Sequence, residues 1–398
     1  MWHLLWRALR QPAYLKNIPE RFGYYRRQAA RPLIWVHAVS VGESRAAAPL
    51  IRALQEKYPE HQVLLTHMTP TGSEAGEALF GDSVLRCYLP YDYPGAVARF
   101  LDHFKPRAGL LIETEIWPNL IHGCGQRQIP LYLVNARLSE KSFAKYRRFA
   151  ELARDSLRGF SAIAAQTRDD AERFAALGAA NVAVTGNLKF DIEPPDEQLD
   201  LGKTWRKSYG ADRPVLLAAS TRDGEEEALL GALEQIDVPS LLTVIVPRHP
   251  QRFDAVAALL GRRGIRFQRR SADAAIAPET QVVLGDSMGE MFAYYAACDV
   301  AFIGGSLLPF GGQNLIEACA AAKPVLVGPH TYNFTEATEL AITAGAAVRV
   351  GDVRELAREA RRLLGDRGAA ARMAEAARAF SRAHRGATKR TLELLRFG

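Results

Sequence analysis

The chain has 398 residues, 48% of them hydrophobic and 24% charged, which excludes a disordered or fibrous protein and supplies enough apolar material for two cores. No run of about 18 or more apolar residues occurs, which excludes a spanning helix. Four scattered cysteines without Cys-x-x-Cys spacing exclude a disulfide framework and a zinc knuckle. Net charge is +7, and much of it lies at the start: Arg7, Arg10, Lys16, Arg21, Arg26, Arg27 and Arg31 stand against Glu20 in residues 1–31. These cations alternate with Trp2, Leu5, Trp6, Tyr14, Phe22 and Tyr25, a mixture that suits an anionic bilayer surface. No apolar secretory core precedes them, so a cytoplasmic location is expected, and no nucleic-acid motif accompanies the charge.

Short apolar strands then alternate with helical patterns. Strands are predicted at Leu33–Val39, Gln62–Thr66, Val84–Leu89, Ala108–Glu113, Pro130–Asn135, Ser161–Ala165 and Asn181–Gly186, with helices between them, among them one over Ser142–Leu157. Strands this apolar are buried on both faces, as in parallel sheets. The polar run Glu193-Pro-Pro-Asp-Glu-Gln198 predicts a linker. Strands resume at Pro214–Ala219, Leu241–Val246, Gln281–Leu284, Asp299–Ile303, Pro324–Val327 and Ala346–Val350, before a helical end, Asp352–Phe397. The expected plan is a membrane-proximal segment 1–31, a domain 32–192, a linker 193–212, a domain 213–380 and a C-terminal helix 381–398. Both domains are Rossmann-like and doubly wound, so ligands are sought outside the carboxyl ends of their strands.

Three motifs stand there in the first domain. His37-Ala-Val-Ser-Val-Gly-Glu-Ser44 passes from strand to helix, and Ser40 and Glu43 have capping-box spacing; Glu43 is equally placed to take a proton from a hydroxyl. Glu113-Thr-Glu-Ile-Trp-Pro-Asn119 sets two carboxylates at a strand end, for capping or for a shifted pKa. Thr185-Gly-Asn-Leu-Lys-Phe-Asp191 carries Lys189, either a surface cation or a group that steadies a departing anion.

The second domain repeats one theme. Pro247-Arg248-His249-Pro250, Asp286-Ser-Met-Gly-Glu-Met291, Gly304-Gly-Ser306 and Gly311-Gly-Gln-Asn-Leu-Ile-Glu317 all fall at loop ends. Glycines admit a phosphate to the backbone, Arg248 is a candidate for its charge, and Glu317 for ribose hydroxyls. No Asp-x-Asp pair is present, so a metal-free, cofactor-free reaction is expected, with basic side chains and backbone N–H groups supplying the electrostatics.

Taken together, these motifs resemble the 3-deoxy-D-manno-octulosonic acid (Kdo) transferase family over almost the whole length. The resemblance is carried by Val39–Ser44, Thr69-Pro-Thr-Gly-Ser73, Glu113–Asn119, Asn135-Ala-Arg-Leu-Ser139, Gly186–Asp191, Val246–Pro250, Met288–Met291 and Gly304–Glu317. It implies a GT-B fold, two Rossmann-like domains facing across a cleft, and inverting transfer of Kdo from CMP-Kdo to a lipid A precursor (lipid IVA). It implies Glu43 as general base, Glu113 and Lys189 as transition-state groups with Glu115 less favoured, and Pro247, Arg248, Met288, Gly289, Glu290, Asn314, Leu315, Ile316 and Glu317 around CMP. Such proteins usually open with an apolar anchor, which this sequence lacks at its start. Two expectations stay open: the sequence is a shortened form of an anchored protein, or it attaches peripherally; in either case the expected place is the cytoplasmic face of a Gram-negative inner membrane. Two rivals differ in their products: a UDP-sugar 2-epimerase would release sugar without lipid, and a non-catalytic membrane-bound nucleotide-sugar sensor would bind CMP without turnover.

Overall fold

A computed structural model of the chain describes residues 17–396. The chain forms two compact units, one from Met1–Asp191 with His384–Gly398 and one from Ile192–Ala383. Each is built on one seven-stranded, wholly parallel sheet.

The strands of the first unit are β1 (Leu33–His37), β2 (Gln62–His67), β3 (Leu85–Tyr88), β4 (Ala108–Ile112), β5 (Leu131–Ala136), β6 (Ala162–Ala165) and β7 (Val182–Val184). Their order is β3-β2-β1-β4-β5-β6-β7. The chain winds outward from β1 on one side and, from β4, on the other, so the switch point lies between β1 and β4. Every residue of β1, β4, β5 and β6 is buried. Separate apolar clusters cover the two sheet faces. One is built on Trp35, Phe100 and Leu133, the other on Ile34, Leu50 and Val134.

The second unit holds β8 (Val215–Thr221), β9 (Leu242–Pro247), β10 (Phe267–Arg269), β11 (Val282–Leu284), β12 (Val300–Ile303), β13 (Val325–Val327) and β14 (Ala347–Arg349). Their order is β10-β11-β9-β8-β12-β13-β14, so the switch point here lies between β8 and β12. Two sheets of this kind make up the GT-B type of α/β architecture.

The structure alters several boundaries. Residues 193–212, read as a linker, contain the helix Asp196–Tyr209. Its Trp205 and Tyr209 are buried, Trp205 stacks on Tyr294 at 4.8 Å, and Gln198 ties it to Gly289 and Phe292. Pro195 only starts this helix. The C-terminal helix breaks at Gly386, whose φ is 93°, and the helix Ala387–Leu394 belongs to the first unit. Of the segment 1–31, residues 1–16 lie outside the described residues. The remainder is partly structural: Arg21 is buried, donates to the Met68 carbonyl at 3.1 Å and stacks on Tyr88. Tyr25 donates to the Tyr88 carbonyl at 3.0 Å. All four cysteines are free and buried.

Candidate active site

Glu43 stands in the first turn of the helix Val41–Lys57, which leaves the carboxyl end of β1. Ser40 caps that helix, its hydroxyl accepting from the Glu43 N–H at 3.3 Å. The Glu43 carboxylate folds back, accepting from the Ser40 hydroxyl at 2.8 Å and the Val39 N–H at 2.7 Å. The capping box is therefore real, and it fixes the carboxylate at the switch point. Burial pushes the Glu43 pKa up to about 7; Glu113 and Glu115 push the same way, and the Val39 and Ser40 hydrogen bonds act against them. A carboxylate with that pKa is poised for proton transfer near neutrality.

Glu113 follows β4 on the other side of the switch point. Its φ is 67°, a left-handed conformation that costs a non-glycine residue on the order of 1–3 kcal/mol. Its Oε1 accepts from Lys189 Nζ at 3.1 Å. Lys189 comes from a short 3-10 turn, Leu188–Phe190, after the edge strand β7. Asn135, buried at the end of β5 with φ 54°, holds that turn by accepting from the Leu188 N–H at 2.9 Å. The turn brings Lys189 back from the sheet edge to Glu113.

Glu115 faces inward and accepts from Trp117 Nε1 at 2.5 Å. Burial raises its pKa, with Glu113 adding to the effect. Beneath these groups lie His37 and His67, fully buried at the ends of β1 and β2. Burial lowers their pKa values to about 3 and about 4, so both are neutral. No group of three metal-ligating side chains is found among the described residues.

In the second unit, Pro247 closes β9 and Arg248 follows it. The Arg248 N–H donates to the Thr221 carbonyl at 2.9 Å, and its Nε to Gln313 Oε1 at 3.2 Å. The glycine loop after β12 folds onto this point, with the Gln313 N–H donating to the Gly304 carbonyl at 3.0 Å. Asn314 accepts from the Ile316 N–H and donates to Glu317, each at 3.0 Å. Leu315 and Ile316 are buried. Met288 is exposed, Gly289 adopts φ 79°, and Glu290 stands just before the following helix and pairs with Arg270 at 3.3 Å.

Sequence reasoning missed the run Ser220–Glu226 at the end of β8. Glu225 is wholly buried and binds the backbone of two loops, accepting from Arg222 N–H at 2.8 Å and Gly305 N–H at 2.5 Å on one oxygen and Leu307 N–H at 3.0 Å on the other. Arg222 stands between them. A cation after a strand end was the available signal, masked by the acidic residues that follow it.

A family model described as 3-deoxy-D-manno-octulosonic-acid transferase (kdotransferase) matches residues 16–192, and one described as glycosyl transferases group 1 matches residues 248–380. The chain is 45% identical to a 3-deoxy-D-manno-octulosonic acid transferase of Bordetella pertussis, over 99% of this chain and 95% of that one. It is 39% identical to the Haemophilus influenzae enzyme of that name, over 98% and 93%. Among solved structures, a UDP-GlcNAc 2-epimerase from Neisseria meningitidis matches with a TM-score of 0.58 at 18% identity, covering 91% of this chain and 99% of that one. A MurG protein from Acinetobacter baumannii matches with 0.57 at 16%, covering 91% and 99%. These two likenesses speak for the fold, and the near-full-length identities speak for the family: the chain belongs to the 3-deoxy-D-manno-octulosonic acid transferase family of glycosyltransferases.

Proposed function

We propose that the protein moves Kdo from CMP-Kdo to a lipid A precursor, lipid IVA, with inversion at the anomeric carbon. The observation that carries this reading is Glu43: a carboxylate fixed at the β1–β4 switch point, with a pKa of about 7 and the ion pair Glu113–Lys189 in the same site. The acceptor hydroxyl attacks the anomeric carbon as its proton passes to Glu43. The bond from that carbon to the phosphate oxygen breaks, and CMP leaves with the electron pair. Lys189, held by Glu113, stabilises the charge that develops. In the second unit, Arg248 and the backbone of Gly304–Ser306 receive the phosphate. Asn314 to Glu317 take the nucleoside, and Met288 to Glu290 close over it.

No helix among the described residues is long and apolar enough to cross a membrane. The acceptor is an anionic amphiphile, so we place the reaction at the cytoplasmic face of the inner membrane, with the basic start of the chain on the lipid surface. The test is incubation with CMP-Kdo and lipid IVA, followed by mass spectrometry of the lipid. A lipid heavier by one or more Kdo residues supports the reading. Unchanged lipid with free sugar released would favour an epimerase or hydrolase.

A further inference from the structure

The donor site as read above leaves one cation unused. Arg222 follows β8, the strand flanked by both β9 and β12, and so stands at the switch point of the second sheet. Its guanidinium lies 4.8 Å over the Phe310 ring. A Cβ built on Gly305 would come 3.3 Å from Arg222 Cγ and 3.0 Å from Gln313 Nε2. Gln313 in turn accepts from Arg248. Arg222 and Arg248 therefore converge on the Gly305 loop, Arg222 directly and Arg248 through Gln313.

Desolvation lowers the His249 pKa, and the charges of Arg222, Arg248 and Arg252 add to the effect. Arg252 is neutralised by Asp223 and Glu226. No carboxylate pairs with Arg222 among the described residues. The backbone that carries it is fixed, because Glu225 holds the Arg222 and Gly305 N–H groups on one oxygen, and Ser220 beside it adopts φ 58°. A half-buried, oriented and unpaired guanidinium is a ready receptor for a planar anion.

CMP-Kdo carries two anions on one carbon: the phosphate ester oxygen and the sugar carboxylate are both attached to the anomeric centre. We infer that Arg222 binds the carboxylate of the donor sugar, beside a phosphate held by Arg248. This rests on the donor reading above and adds to it a basis for selecting acidic sugars. A neutral nucleotide sugar would leave Arg222 desolvated without an anion, which disfavours it.

The experiment is calorimetry on the full chain with CMP-Kdo and with CMP, without acceptor, for the wild type, Arg222→Gln and Arg222→Lys. Arg222→Gln is expected to weaken CMP-Kdo about tenfold or more, the scale of one charge-assisted contact, while CMP affinity changes less than about threefold. Arg222→Lys should fall between. In turnover, donor KM should rise more than kcat falls. Equal weakening of CMP and CMP-Kdo would place Arg222 on the phosphate or in the scaffold and overturn the inference, as would no change in either. Wild-type protein that binds CMP-Kdo in this Arg222-dependent way but yields no lipid product would sink the transfer reading and leave the carboxylate site standing. Wild-type protein that does not bind CMP-Kdo overturns both.

Discussion

At the scale of single residues, the contacts that cap a helix also bear on the pKa of the proposed base, lowering what burial raises. Glu43 had two readings in the sequence, cap or catalyst: the structure shows the cap, and the catalyst is our proposal, resting on a carboxylate that burial raises to a pKa of about 7. Its pKa near 7 sets the sign of the pH dependence: the base form is present above about pH 7, so kcat/KM should rise with pH through that value. Glu43→Gln should cut transfer by about 10²–10⁴-fold and leave CMP affinity unchanged; near-normal turnover in the folded variant would remove Glu43 as the base. The linkage also has a sign. A carboxyl group whose pKa is raised on folding stabilises the fold at low pH and loses that contribution as pH rises through about 7. A large drop in melting temperature is therefore not expected of Glu43→Gln at pH 8, and a melting curve checks it. Cations and backbone N–H groups do the electrostatic work of a metal in this scheme, so activity should survive EDTA. Loss on chelation with recovery on adding magnesium would contradict the scheme.

At the scale of elements, the alternation of apolar strands made both sheets legible, since strands buried on both faces need no partner-side pattern to be recognised. What was hidden has physical reasons. β10 is only half-buried, at a sheet edge, and reads Phe-Gln-Arg, so neither hydrophobicity nor alternation marks it. The helix expected over Ser142–Leu157 is two helices, Glu140–Arg147 and Ala150–Arg158, parted at Arg148–Phe149 with no glycine or proline to announce it. Glu43, Glu113 and Lys189 were legible as strand-end groups, but that Glu113 and Lys189 meet was not, because Lys189 follows the edge strand. Asn135 accomplishes that meeting. Its left-handed φ suits asparagine, and its Oδ1 is the acceptor for the Leu188 N–H. Asn135→Ala should lose both, destabilising the first unit by about 1–3 kcal/mol and lowering kcat with CMP affinity intact. Urea unfolding and steady-state kinetics measure the two; unchanged kcat would mean that Lys189 needs no such anchor.

At the scale of the whole molecule, charge and chain order matter more than any one contact. The cations of residues 1–31 that the structure describes divide: Arg21 is buried inside the first unit, whereas Arg26, Arg27 and Arg31 are exposed. Among the described cations of this segment, only these exposed ones are available to a lipid surface, at about 1 kcal/mol each. Binding to anionic liposomes should weaken with salt, and replacing Trp2, Leu5 and Trp6 with serine should weaken it further; equal flotation with neutral liposomes would argue for a merely solvated segment. Chain order adds a second constraint. The last helix, Ala387–Leu394, returns to the first unit after the whole second unit has been threaded. Asp191 accepts from the N–H groups of Gly386, Ala387 and Thr388, Arg390 donates to the Thr185 carbonyl at 2.8 Å, and the Tyr132 hydroxyl donates to the Arg396 carbonyl at 2.9 Å. Ala387 and Leu395 are part of the apolar cluster that contains Ile34 and Val134. Ending the chain after Ala383 removes these groups and opens that cluster beside β5 and β6. One buried leucine alone is worth about 2–5 kcal/mol when cut back, so the first unit should unfold at clearly lower urea while the second keeps its core. Transfer activity should vanish, and CMP, which in our reading contacts only the second unit, should still bind. An unfolding curve identical to that of the full chain would mean that the returning helix is only an appendage, and loss of CMP binding would mean that the two units do not fold independently.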